Sequence, residues 1–292
     1  MQRILLMLVL FISCAVPAHA SLRIVATLPW IGSLARDIGR DKVEVTVLVK
    51  PAQDPHSIEA KPSMIATARR ADLIAYNGLD LEVGYLPILV ESSRNPAIQA
   101  GKSGNLNCSI FIEAIEKMPG VDRSHGDVHP LGNPHYHLSP ANVRRVALGM
   151  AERLATLAPQ DAAFFRRNAA DFVTRLDNRQ KIWKNKGLKG QQYVAGHKFF
   201  EYLATDYGFR ITGYLESKPG IPPTSAHLNS LISAMKAAHP KAILTTAYES
   251  RHEAAFVSSR TGVKNVQVPH DVGAGGTKDW FELMDAIIKA LE

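Results

Sequence analysis

The sequence predicts an α/β protein of two lobes, each a mostly parallel sheet flanked by helices, joined by one long linking helix. Two observations set the class: strand and helix signals alternate through the first part of the chain after residue 20, and the same alternation returns after residue 187. A third sets the junction, because the tract between them is helical in pattern throughout. Strands alternating with helices favour a parallel sheet covered on both faces.

In the first lobe, residues 21–140, "LRIVATL" reads as a buried strand and "WIGSLARDIG" as a helix closed by Gly39. "VEVTVLV" gives a second strand, "PSMIATARRA" a second helix, and "DLIAYNG" a third strand ending in a turn. The linking segment, 141–186, contains one strong breaker, Pro159, after which Gln160 or Asp161 can start a fresh helix. Phe164, Phe165, Ala169, Phe172, Val173 and Leu176 recur at helical spacing on one packed face. A helix of roughly 25 residues would span ~37 Å, enough for a strut between lobes; a helical hairpin inside one lobe is the alternative. The second lobe, 187–292, reads strand "QQYVAGH", helix "FFEYLATDYG", strand "RITGYL", helix "AHLNSLISAMKAAHP", strand "AILTTAY", helix "HEAAFVSSRTG", strand "VKNVQV" and a last helix from about Asp279. No internal repeat is visible in the residues themselves.

Residues 1–20, "MQRILLMLVLFISCAVPAHA", have a basic start at Arg3, an apolar run from Ile4 to Val16 and Ala18-His19-Ala20, the pattern of a secretory leader cleaved after Ala20. The run is shorter than the ~20 apolar residues a membrane span needs. Cys14 lies in "FISC", a poor lipoprotein signal, so anchoring ranks second to release into the periplasm. Removal of the leader leaves Cys108 as the only cysteine, which excludes an internal disulfide and a cysteine-based zinc site. The formal net charge of +7 then falls by one with Arg3. With export expected and no basic run interleaved with aromatics, that charge reads as a solvated surface and not a nucleic-acid interface.

Chemistry concentrates in loops at strand ends, where open parallel sheets bind ligands. His56 follows the second strand, His135 and His137 precede the linking segment, His197 ends a strand, and His270 and Asp271 follow the last strand. "HGDVHPLGNPHYHLSP", residues 125–140, alone holds four of the chain's eleven histidines, too many for incidental placement of every one. Imidazole and carboxylate donors together suit four-coordinate Zn²⁺ at ~2.0–2.2 Å, whereas Mn²⁺ favours more oxygen ligands.

"DPHSIE", "NPHYHLSP" and "GHKFFEYLATDYGF" resemble the metal-binding motifs of the periplasmic zinc- and manganese-binding receptors of ABC transporters, the cluster A-I solute-binding proteins. "NGLDLEVGYLPIL" and "AILTTAYESRHEAAFVSSRTGVKNVQV" extend the resemblance across residues 21–292. It implies a metal held in the cleft between the lobes, with His56, His135 and His197 as ligands and Asp271 as the nearest match to a fourth, carboxylate ligand. His270 and Glu249 are its rivals. His137 departs from the tryptophan common at that position, and a histidine at His197, where manganese-selective relatives commonly carry glutamate, favours zinc over manganese. His125 and His129 would lie in a short loop upstream of the site, able to collect metal or simply solvated. The implied partners are a divalent metal ion and a membrane permease, with the chain acting as a monomer.

Rival readings are an exported zinc hydrolase, with Glu249 or Glu59 as spare carboxylates, and a metal-buffering or adhesion protein on the same fold. The hydrolase lacks an H-E-x-x-H pair. A nucleotide site at "GKS", 101–103, fails because a phosphate loop needs glycine at position 96, where the chain has Pro96.

Overall fold

The computed structural model describes residues 21–121, 126–249 and 251–292; the leader and His125 lie outside the described residues. In the first lobe the chain runs β1 (Leu22–Ala26), α1 (Pro29–Gly39), β2 (Val43–Val47), α2 (Pro62–Ala68), β3 (Leu73–Tyr76), α3 (Leu86–Ser93) and β4 (Asn105–Asn107). The four strands pair in parallel in the order β2-β1-β3-β4, with Ala26 beside both Val47 and Ala75. Pro29 begins α1 at a position whose N–H would go unused in a helix, and its fixed φ suits the first turn. Two elements went unread in the sequence. The segment of β4 is only "NLN", too short and polar for an alternation signal, and α3 follows a turn whose apolar residues show no clear period.

Two helices follow, α4 (Pro140–Leu157) and α5 (Ala162–Lys184), parted at Ala158–Asp161 around Pro159. They pack along each other, and both also touch α1. At 23 residues α5 runs about 34 Å. Its buried face carries Phe165, Ala169, Phe172 and Leu176, the stripe expected from the spacing; Phe164 packs at its edge.

The second lobe comprises β5 (Gln192–Ala195), α6 (Glu201–Tyr207), β6 (Arg210–Tyr214), α7 (Ser225–Ala238), β7 (Ala242–Thr245), α8 (Arg251–Thr261), β8 (Asn265–Gln267) and α9 (Trp280–Leu291). Its strands are again parallel, in the order β6-β5-β7-β8. The two sheets therefore share one topology, with β1 matching β5 and β3 matching β7.

The last helix ties the lobes together. α9 packs on both α5 and α1, and Trp280, 1% exposed, gathers Phe172, Trp183 and Phe281 around it. Burying such a ring stabilises by roughly 1.5–3 kcal/mol. Its backbone N–H donates to Ser33 Oγ of α1 and its indole N–H to the carbonyl of His137. A continuous apolar core thus runs through both lobes and the helices between them, and a second, separate cluster lies under α7 and α8 in the second lobe. Among the described residues no helix is long and apolar enough to cross a membrane.

Candidate metal centre

The carboxyl ends of both sheets face one region, and there His56, His135 and His197 converge. Their ring centroids form a triangle of 5.3 Å on every side, and their donor nitrogens all lie within 4.8 Å of one another. Nitrogens bound tetrahedrally at ~2.0–2.1 Å stand about 3.4 Å apart, so a small inward movement would close the trio on one ion.

Each ring is aimed by its own loop. Asp54 begins a tight turn at the end of the β2 loop, accepting from the His56 backbone N–H at 2.9 Å and from Ser57 Oγ at 3.0 Å. The same carboxylate meets His56 Nδ1 at 2.8 Å, which puts the ring proton on Nδ1 and leaves Nε2 with its lone pair. Burial alone would raise the Asp54 carboxyl, but its bonds and attraction to His56 hold it down at about 2. His197 stands two residues past β5, its Nδ1 2.7 Å from Glu216 Oε2. His135 is set from its backbone: Asn133 Oδ1 accepts its N–H at 2.9 Å, and Asn77 Nδ2 donates to the Pro134 carbonyl at 3.0 Å. Among the described residues the Nε2 atoms of His56 and His135 are buried with no hydrogen-bond partner. A buried polar atom without a partner is costly, and a cation would satisfy both.

The protonation of the rings is split. Burial, reinforced by the neighbouring His197 and His56, pushes His135 well below the usual imidazole range. Burial would do the same to His197, but Glu216, with Glu249 and Glu201 behind it, reverses the sign and raises it. A carboxylate behind a histidine increases its basicity and fixes its orientation toward a metal.

The structure does not bring Asp271 into the trio. Its Oδ1 accepts from the Val272 N–H at 2.7 Å, and burial pushes the carboxyl up to about 8 against the pull of the Val272 and Trp30 backbone donors. Trp30 lies in the first turn of α1, so the Asp271 carboxyl comes from the other lobe to stand beside the N-terminal end of that helix. His270 packs edge-on against Tyr248 with centroids 4.7 Å apart, and burial pushes it down to about 4. His137 stacks on Trp30, 5.9 Å away, and its Nε2 meets the His270 carbonyl at 2.9 Å; it joins the lobes beside the trio, in the place where an aromatic residue is common. His129, expected in a solvated loop, is 6% exposed, with its ring 5.3 Å from His56 and its Nδ1 3.0 Å from the Leu79 carbonyl. Glu59 is exposed and outside the group.

A cavity of about 270 Å³ opens beside the trio, with Asp54, His56, His197, Glu216, Tyr248 and Glu249 on its walls. Asp54 and Glu216 were not singled out in the sequence. For Asp54 the signal was present, since an aspartate two residues before a ligand in "DPH" is the pattern of a side-chain-closed turn. Glu216 has no local signal, because only the β5–β6 pairing brings it beside a residue 19 positions away.

This architecture, two α/β lobes with a histidine trio between them, is that of a metal-binding receptor. Over residues 24–292 the chain matches the model of the zinc-uptake complex component A periplasmic family, ZnuA, and it belongs to that family. Among curated relatives it is 24% identical over 256 residues to the high-affinity zinc uptake system protein ZnuA of Bacillus subtilis (strain 168), covering 83% of this chain and 76% of that one. It is 28% identical over 228 residues to the manganese ABC transporter substrate-binding lipoprotein PsaA of Streptococcus anginosus, covering 71% and 70%. A crystal structure of ZnuA superposes with a TM-score of 0.78 at 23% identity, covering 92% of this chain and 97% of that one, a likeness of fold. The family comprises exported substrate-binding proteins of ABC transporters, not enzymes, and the hydrolase reading falls with that membership.

Proposed function

We propose that this chain captures Zn²⁺, with Mn²⁺ as the second candidate, through His56, His135 and His197, and surrenders it to a membrane permease for uptake. The observation that carries this reading is the 5.3 Å triangle of imidazoles drawn from both lobes, two of whose Nε2 atoms have no other partner. Three nitrogen donors favour zinc over manganese, whose preference is for oxygen. The leader is removed after Ala20 and the mature chain works in the periplasm as a monomer. Metal analysis of the mature protein, purified without a histidine tag, followed by competition between the two ions, tests this. One equivalent of zinc, not displaced by excess manganese, is the expected result. Preferential retention of manganese would overturn the assignment of zinc.

A further inference from the structure

The two lobes carry a matching carboxylate, and the difference between the two copies points to a role for the second. In the first lobe Glu82 sits beyond β3. Its Oε1 accepts from the N–H of Asn77, the first residue after β3, and from Oγ1 of Thr27, the first residue after β1, both at 2.7 Å; its Oε2 accepts from the Gly78 N–H at 3.0 Å. In the second lobe Glu249 sits beyond β7. Its Oε2 accepts from the N–H of Thr246, the first residue after β7, at 2.8 Å. It also presses on Gly196, the first residue after β5, so closely that a Cβ there would lie 2.3 Å from Oε2. The placements correspond strand for strand, but satisfaction does not. Both oxygens of Glu82 are bonded, whereas among the described residues Oε1 of Glu249 is buried with no hydrogen-bond partner.

Glu249 lines the cavity shared with His56 and His197. Among the described residues no lysine or arginine lines this cavity, while Asp54 and Glu216 add further carboxylates. Glu249 is outside the trio of donors that lie within 4.8 Å of one another, a placement that suits an acceptor one water away from the metal.

We infer that Glu249 holds the metal's fourth position through water: Oε1 accepts a hydrogen bond from a metal-bound water and its charge offsets the dication. This takes the place of a directly bound Asp271 and rests on the histidine-trio reading above. It also accounts for glycine at 196, since any side chain there would displace the carboxylate.

The test is a competitive zinc titration of Glu249→Gln, Asp271→Asn and His135→Ala, with Co²⁺ absorption as the signature of the coordination shell. Loss of an outer partner of this kind typically weakens binding ~10–100-fold. Glu249→Gln should fall in that range while keeping the wild-type Co²⁺ spectrum, because the water stays; Asp271→Asn should stay within about threefold of wild type. Unchanged affinity in Glu249→Gln, or a Co²⁺ spectrum altered in shape, would overturn the inference. His135→Ala separates the two levels: if it retains stoichiometric zinc, the trio itself is wrong, and if it loses zinc while Glu249→Gln does not, only this inference fails. Thermal unfolding of metal-free Glu249→Gln, expected to match wild type, controls for folding.

Discussion

The two lobes have the same strand order, all-parallel pairing and a carboxylate at the same place, yet only one of those carboxylates lines the cavity beside the histidines. Glu82 clasps a turn in which Gly78, Leu79 and Asp80 all have positive φ, of 82°, 55° and 62°. Leu79 and Asp80 pay roughly 1–2 kcal/mol each for that conformation, and the Glu82 bonds hold it. The reward is placement, because the turn presents the Asn77 amide to Pro134 and the Leu79 carbonyl to His129. Glu249 has one oxygen committed to the backbone and one buried with no hydrogen-bond partner among the described residues. On the inference drawn above, the same fold position serves structure in one lobe and ligand chemistry in the other, and what separates them is whether the last polar atom has a partner.

The sharpest break in this comparison comes from removing His197, the one imidazole that the second lobe contributes to the trio. His197→Ala should abolish stoichiometric zinc binding, a loss beyond the ~100-fold reached by outer partners, while leaving the apo fold intact; calorimetric titration reads it. Next in size are the two carboxylates that aim the rings. Asp54→Asn and Glu216→Gln should each weaken zinc ~10–100-fold, and equal losses would mean that both lobes contribute aimed ligands to one ion.

Acid should act unevenly on the trio. A histidine whose pKa is raised holds its proton at higher pH, and the metal must expel it, so affinity falls as pH drops through that raised value. His197 is raised by Glu216, whereas His135 is pushed down by burial and enters binding already neutral. The decline in zinc affinity should therefore begin above the ordinary imidazole pKa of about 6.5, and it should depend on Glu216. Titrations across neutral pH in wild type and Glu216→Gln check this: the onset should move to lower pH in the variant.

The smallest effect on metal is expected at Glu82. Glu82→Gln should lower unfolding stability by ~1–3 kcal/mol, the cost of disturbing a satisfied buried group, yet leave zinc affinity within about threefold. Chemical denaturation and titration of one sample give both numbers.

Much of this was legible in the residues. Local patterns were enough for β1, β2, β3 and all four strands of the second lobe, because their apolar runs are bounded by glycine, proline and polar turns. The apolar spacing after Pro159 likewise located the packed face of α5. His56, His135 and His197 could be picked out because each follows or precedes a regular element within a motif of recognisable shape. What escaped depends on tertiary contact. The likeness between the lobes resides in backbone placement, with Glu82 five residues after its Asn77 partner and Glu249 three after Thr246, so no repeat is visible in the letters. Asp271 was chosen for charge and loop freedom, but the N-terminus of α1, packed nearby through α9, offers its carboxylate backbone donors instead. His129 looked like part of a solvated loop and is buried against His56, since Asp127 beside it donates its N–H to the Pro219 carbonyl of the other lobe at 2.8 Å.

The central claim is that one ion is held by three imidazoles from two lobes, with a water in the fourth position. X-ray absorption at the zinc edge of the loaded, tag-free protein tests it most directly. The account predicts three imidazole nitrogens and one oxygen at ~2.0–2.1 Å, reduced to two imidazoles in His197→Ala if any zinc remains bound. A wild-type shell with two or fewer imidazoles, or one dominated by carboxylate oxygen, would contradict it.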